Sequence, residues 1–192
     1  MRSIILASNS PRRKELLSMA NILFEVRSKN IPETHPEGVP LQEIPLHLAK
    51  QKAMALQPEI TNEIVIGADT VVLLGNRIFE KPNTPQEAVE MLQMLSGHTH
   101  EVVTGVFIFS NEKQVGFSET TRVTFNQLSK EEIEFYVAKY SPFDKAGSYA
   151  CQEWIGAVGI RSFEGDYFNV VGLPINKVYK VLKEDFGYKI IS

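Results

Sequence analysis

The amino-acid order predicts an α/β fold: a mixed β-sheet with helices on its faces and a cleft between two lobes. Three observations carry this. The chain opens strand–helix–strand, an order that favours parallel pairing. Its middle carries strand–turn–strand units, which favour antiparallel pairing. Helical segments with recognisable starts lie between these strands.

The elements follow in order. Residues 3 to 8, ending "IILAS", form a buried apolar strand. Ser10 then suits a helix N-cap with Pro11 at the first helical position, and Leu16, Leu17 and Ala20 supply the helix's apolar side. "FEVRS" alternates as a second strand, and "KNIPETHPEGVP" is a proline-rich loop. The next helix, running through about Leu56, buries Leu48, Ala49, Ala53 and Leu56. "EIVIGADTVVLLGNRIFEKP" is a strand, a Gly75-Asn76 turn and a returning strand. Thr84 to Glu87 is a capping box that opens a helix to Leu95, stopped by Ser96-Gly97. "HTHEVVTGVFIF" and "QVGFSETTRVTFN" are long strands around a polar turn; Phe117, Glu119, Thr121, Val123 and Phe125 share one face of the second. Ser129 with Glu132 is a further capping box, leading a helix to about Tyr140. The remainder reads as loop, strand, loop, a helix from Pro174 to about Glu184, and a short final strand.

Composition narrows the function classes. The chain has 192 residues, 43% hydrophobic and 22% charged, which suits one domain spanning 1–192 in two lobes. A formal net charge of -3 gives no global attraction for nucleic acid or anionic membrane, so an anion site must be a local cluster. Cys151 is the single cysteine, which excludes an internal disulfide and a cysteine zinc cage. No apolar run reaches the ~18 residues of a membrane span, and the N-terminus lacks a signal-peptide pattern. The expected setting is the cytoplasm, with no nucleic-acid or membrane partner.

Several residues stand in chemically odd places. Asp69 interrupts the apolar run "IVIGADTVVLL". A carboxylate there is either bonded to backbone amides or serves as a metal ligand or general base at a strand end. Lys52 shares the apolar helix face of Leu48, Ala49 and Leu56; it either snorkels to water or aims an ammonium into an anion pocket. Arg12 and Arg13 occupy the first turn of a helix, where the macrodipole favours negative charge. They form a solvated face, or they join Ser8, Ser10 and the backbone N–H groups in holding a phosphate. Lys81 and Glu33 are weak signals alone. His98 and His100 fall on one strand face, but no third metal ligand accompanies them. As a set, several cations and two carboxylates near element ends suit a polyphosphate carrying a hard divalent cation.

The segments "ASNSPRRKELL", "LAKQKA", "GADTVV", "EKPNTPQEA", "LSGHTHEVVTGV", "SPFDKAGSY" and "GDYFNVVGLP" recur in this order in one family. Through them the chain resembles the Maf-like nucleoside triphosphate pyrophosphatases, also called septum formation inhibitor proteins, over nearly its whole length. The resemblance implies an elongated mixed sheet in two lobes with a deep central cleft, like the inosine triphosphate pyrophosphatases. It implies hydrolysis of a nucleoside triphosphate to the monophosphate and pyrophosphate with Mg²⁺ or Mn²⁺. It makes Asp69 the proton acceptor and a metal contact, with Glu33 as a second metal contact. Ser8, Arg12, Lys52 and Lys81 match its phosphate-binding positions. Arg13, Thr70 and Gln152 match the markers of the branch acting on dTTP and UTP. One departure stands out: Glu153 and Trp154 occupy a stretch that is glycine-rich in many relatives. The alternative reading is a non-catalytic nucleotide-binding regulator of cell division, and a homodimer is left open.

Overall fold

The computed structural model describes residues 2–32, 34 and 37–190. Its strands are β1 (Ile4–Leu6), β2 (Glu25–Val26), β3 (Ile64–Leu74), β4 (Arg77–Phe79), β5 (Thr99–Phe109), β6 (Gln114–Phe125) and β7 (Ile160–Glu164). They form a seven-stranded sheet in the order β2-β1-β3-β5-β6-β7, with β4 also pairing β3. Pairing of β1 with β2 and with β3 is parallel, whereas β3–β4 and β6–β7 are antiparallel, so the sheet is mixed as the element order predicts. The helices are α1 (Pro11–Met19), α2 (Ile44–Met54), α3 (Pro85–Leu95), α4 (Lys130–Tyr140), α5 (Trp154–Gly159), α6 (Tyr167–Val171) and α7 (Ile175–Phe186).

The chain divides into two compact units. One comprises Met1–Asp69, Thr104–Glu119 and Gly172–Ser192, the other Thr70–Val103 and Thr120–Val171.

In the first unit, Ile5, Ala49, Ala53, Leu56, Val65 and Phe109 pack together. Two glycines let α2 lie directly on the sheet. A Cβ added at Gly67 would sit 2.3 Å from the Ala49 carbonyl oxygen and 2.8 Å from Ala53 Cβ. One added at Gly105 would sit 2.1 Å from the Leu46 amide nitrogen. Glycine on the strands lets the helix backbone approach more closely than any side chain there would allow. Among the described residues no strand follows α7. Gly187 ends the helix at a positive φ of 68°, and the Tyr188 N–H turns back to the Leu182 carbonyl at 3.0 Å. That amide is thereby consumed by the helix end and not by a sheet ladder.

In the second unit, Phe79, Leu92, Phe125, Tyr136, Tyr149 and Ile155 form the core. Gly75 makes the β3–β4 turn at φ 58°. The Ser129–Glu132 capping box is complete. The Thr84 box is half formed: Thr84 Oγ1 accepts the Glu87 N–H at 3.2 Å, but the Glu87 carboxylate takes the N–H of Asn83, at 2.7 Å. The stretch expected to be irregular holds α5 and α6, of six and five residues. Each is too short for an apolar period to show in sequence.

Candidate active site

The first unit assembles most of the residues singled out above. β3 pairs with β1 through Ile64, Val65 and Ile66, and the Ala7 N–H adds a bond to the Ile66 carbonyl. Gly67, Ala68 and Asp69 therefore lie beyond the end of β1. Asp69 is mid-strand, not at the strand end expected from sequence; it is the neighbouring strand that stops. Its side chain is 13% exposed, and Lys52 Nζ donates to Oδ1 at 2.6 Å, with the Lys52 side chain 16% exposed. The carboxylate is thus paired through Oδ1 with a cation on α2. Gly67 explains the reach. It lies two residues before Asp69 on the same face of β3, and α2 presses on it through Ala49 and Ala53, which flank Lys52 in sequence.

Ser8 follows β1 and is buried. Its Oγ accepts from Arg13 Nη1 at 3.0 Å and from the Ser10 N–H at 3.3 Å. A hydroxyl has two acceptor lone pairs and one donor, so two incoming bonds direct its own O–H outward as a donor. Arg13 Nε also donates to the Gly172 carbonyl at 2.9 Å. Arg13 therefore braces the segment after β1, a role that sequence reasoning did not anticipate. Ser10 is the α1 N-cap by position, but its side chain makes no capping bond. Arg12 is half-buried at the second position of α1, and no acidic residue stands in that first turn. Glu33 lies outside the described residues.

The second unit holds Thr70, Lys81 and Gln152. Thr70 is half-buried on β3, Lys81 is exposed just past β4, and Gln152 is exposed just before α5. Beside Gln152, the departure at Glu153 has a partner set. Glu153 Oε1 lies 3.4 Å from Lys145 Nζ, and Oε2 accepts from the Tyr136 hydroxyl. Lys145 also donates to Asp144 Oδ1 at 2.8 Å.

The two histidines do not act together. His98 is exposed, with Nδ1 2.8 Å from the Ser96 carbonyl. His100 is buried between Phe125 and Tyr149, with Nε2 2.7 Å from the Tyr149 hydroxyl; burial lowers its pKa to about 4. Among the described residues no group of three or more His, Cys, Asp or Glu could hold a metal ion, and no helix is long and apolar enough to cross a membrane.

Comparison with known proteins places these features in context. The family model described as Maf-like protein matches residues 3–185. A dTTP/UTP pyrophosphatase of Phocaeicola vulgatus is 49% identical over 183 residues, covering 94% of this chain and 95% of the relative. One of Bacillus cereus is 50% identical over 184 residues, covering 96% of each. One of Cytophaga hutchinsonii is 45% identical over 184 residues, covering 96% of this chain and 84% of the relative. Among solved structures, a HAM1 protein from Coxiella burnetii aligns with a TM-score of 0.47 and 14% identity, over 96% of this chain and all of that one.

Proposed function

The chain belongs to the Maf-like protein family, and from that premise we propose that it hydrolyses nucleoside triphosphates to the monophosphate and pyrophosphate, with dTTP and UTP as substrates. Relatives at 45% to 50% identity bear that activity in their names. The observation that carries the reading is the Lys52–Asp69 pair at 2.6 Å, mostly buried and still open to solvent. An ammonium and a carboxylate held together in the unit that also carries the arginine-bearing start of α1 suit an anionic substrate whose reaction needs a proton acceptor.

The chemistry follows from the side chains. Water attacks the α-phosphorus, the bond to the bridging oxygen breaks, and pyrophosphate leaves with that oxygen. Asp69 accepts the proton of the attacking water through Oδ2, while Oδ1 is bonded to Lys52. Lys52 fixes the carboxylate and sets its positive charge against the phosphates. Ser8 donates its O–H to a phosphate oxygen, and Arg12 and Lys81 offset further phosphate charge. In-line geometry and charge stabilisation supply most of the acceleration in such a transfer. Thr70 and Gln152 select the uracil or thymine base, while Arg13 sets Ser8 at the phosphate end.

The donor set also fits a divalent cation. Mg²⁺ takes one or two carboxylates together with phosphate and water oxygens, and needs no all-protein cage. Asp69, with Glu33 as a second carboxylate, would hold Mg²⁺ or Mn²⁺ against the triphosphate. Such an ion supplies charge neutralisation and a more acidic water.

The test is release of pyrophosphate from UTP, dTTP, CTP and GTP, with and without Mg²⁺ or Mn²⁺. UTP and dTTP should give monophosphate and pyrophosphate in equal amounts. Nucleotide binding without pyrophosphate release under any of these conditions would replace the enzyme reading with that of a regulator.

A further inference from the structure

Gln152 is exposed, yet every residue around it is tied down. The Tyr136 hydroxyl accepts the Ala150 N–H at 3.1 Å and donates to Glu153 Oε2. One phenol oxygen therefore holds the chain on both sides of the Cys151–Gln152 pair. Tyr136 is itself fully buried, with its ring stacked on Tyr140 at a centroid distance of 5.0 Å. Glu153 is held a second time by Lys145, whose side chain is only 9% exposed and whose ammonium needs a carboxylate partner at that depth. The carbonyl before Gln152 is fixed as well: a Cβ at Gly156 would lie 1.8 Å from the Cys151 oxygen, so α5 packs directly against it. The Glu153 carbonyl in turn accepts the Gly156 N–H at 2.9 Å. On the side chain, the Cys151 thiol donates to Gln152 Oε1 at 3.7 Å.

We infer that Tyr136 and Glu153, the latter anchored by Lys145, are positioning residues that aim the Gln152 amide at the nucleotide base. The inference rests on the reading of Gln152 as a base contact and deepens it. A side-chain amide discriminates bases by the direction of its donor and acceptor. An exposed amide on a mobile loop would adapt to uracil, thymine or cytosine alike; one on a clamped backbone presents one pattern. The carboxylate that departs from the family's glycine-rich pattern is thereby the anchor of the selecting residue.

The experiment measures kcat and KM for UTP and CTP, with thermal melts, for Tyr136→Phe, Glu153→Ala, Glu153→Gln, Gln152→Ala and the double variant Tyr136→Phe/Gln152→Ala. Tyr136→Phe and Glu153→Ala should lower the UTP-to-CTP ratio of kcat/KM by about five- to tenfold, mainly through KM for UTP. Glu153→Gln keeps an acceptor for the Tyr136 hydroxyl but loses the charge that pairs with Lys145, so its ratio should fall between those of the parent and Glu153→Ala. The double variant should show a ratio no lower than Gln152→Ala alone, because the clamp acts through that residue. The inference is overturned if Gln152→Ala moves the ratio but the clamp variants leave it within twofold. It is equally overturned if they lower UTP and CTP rates in parallel with Tm. An unchanged ratio in Gln152→Ala would instead remove Gln152 from base selection, and the clamp's purpose with it.

Discussion

Replacing Gly67 with alanine should uncouple Lys52 from Asp69 without altering either residue. The added methyl would sit 2.3 Å from the Ala49 carbonyl oxygen, where ordinary contact begins at 3.4 Å. Strand or helix must therefore give by about 1 Å, and overpacking of this kind costs ~1–3 kcal/mol. The obstruction is backbone, so no truncation of a facing side chain relieves it; Ala49→Gly leaves the oxygen where it is. Displacement of α2 carries Lys52 with it and stretches a bond now 2.6 Å long. A misplacement of about 1 Å at a reacting group can lower turnover by on the order of 10²-fold. Urea denaturation would read the stability loss, and steady-state pyrophosphate release would read kcat at a concentration where the variant is fully folded. A folded variant with kcat within twofold of the parent would refute the argument that helix–strand contact at this glycine sets the Lys52–Asp69 geometry.

Other substitutions test separate links. Asp69→Asn should fold and bind nucleotide but turn over on the order of 10²-fold more slowly, or less still; near-parental pyrophosphate release would remove Asp69 as proton acceptor. His100 makes stability pH-dependent. Its folded pKa is about 4 against an ordinary 6.5, so between those values the unfolded chain takes up a proton that the folded chain refuses. Stability is therefore full above the higher value and falls as pH drops toward the lower, by about 3 kcal/mol. Urea midpoints from pH 7 to pH 4 should show a steeper decline for the parent than for His100→Gln, and equal slopes would contradict it. Ser129→Ala removes the α4 cap and should lower stability by about 1 kcal/mol with no change in kcat, read by melts and activity together.

How much of this was legible in the sequence depends on the range of the interaction involved. The capping box at Ser129, the Gly75 turn and the apolar face of α2 are set within a few residues, and local chemistry reveals them. Asp69 and Lys52 were each conspicuous as charges among apolar neighbours, but their bond joins positions 17 apart, and no local pattern encodes it. Gly67 carried a signal that could have been used: a glycine inside an apolar strand marks close backbone approach. Glu153 looked like a departure of uncertain effect because its partners, Lys145 and Tyr136, come from other elements. The expected final strand is not formed by the described residues, for a different reason. The apolar residues after α7 resemble a strand end, but Gly187 turns the chain and spends the next amide on the helix terminus.

The adjacent arginines at the start of α1 can now be separated in part. In sequence both faced the same puzzle, a cation where the helix dipole is positive. Arg13 answers it internally: its fork spans the Gly172 carbonyl and the Ser8 hydroxyl, at 2.9 and 3.0 Å. That arrangement needs two donors at fixed separation, which a guanidinium has and an ammonium lacks. Arg13→Lys keeps the charge, but its single compact nitrogen cannot stand at the separate Nε and Nη1 positions that serve the two acceptors, leaving Ser8 with a spare lone pair and its O–H free to rotate. If Ser8 acts as a phosphate donor set by Arg13, kcat/KM in Arg13→Lys should fall by about fivefold for UTP and CTP alike. The additional Ser8→Ala change should then add little. A lysine variant with parental rates, or one whose loss adds fully to that of Ser8→Ala, would show that Arg13 does not act through Ser8.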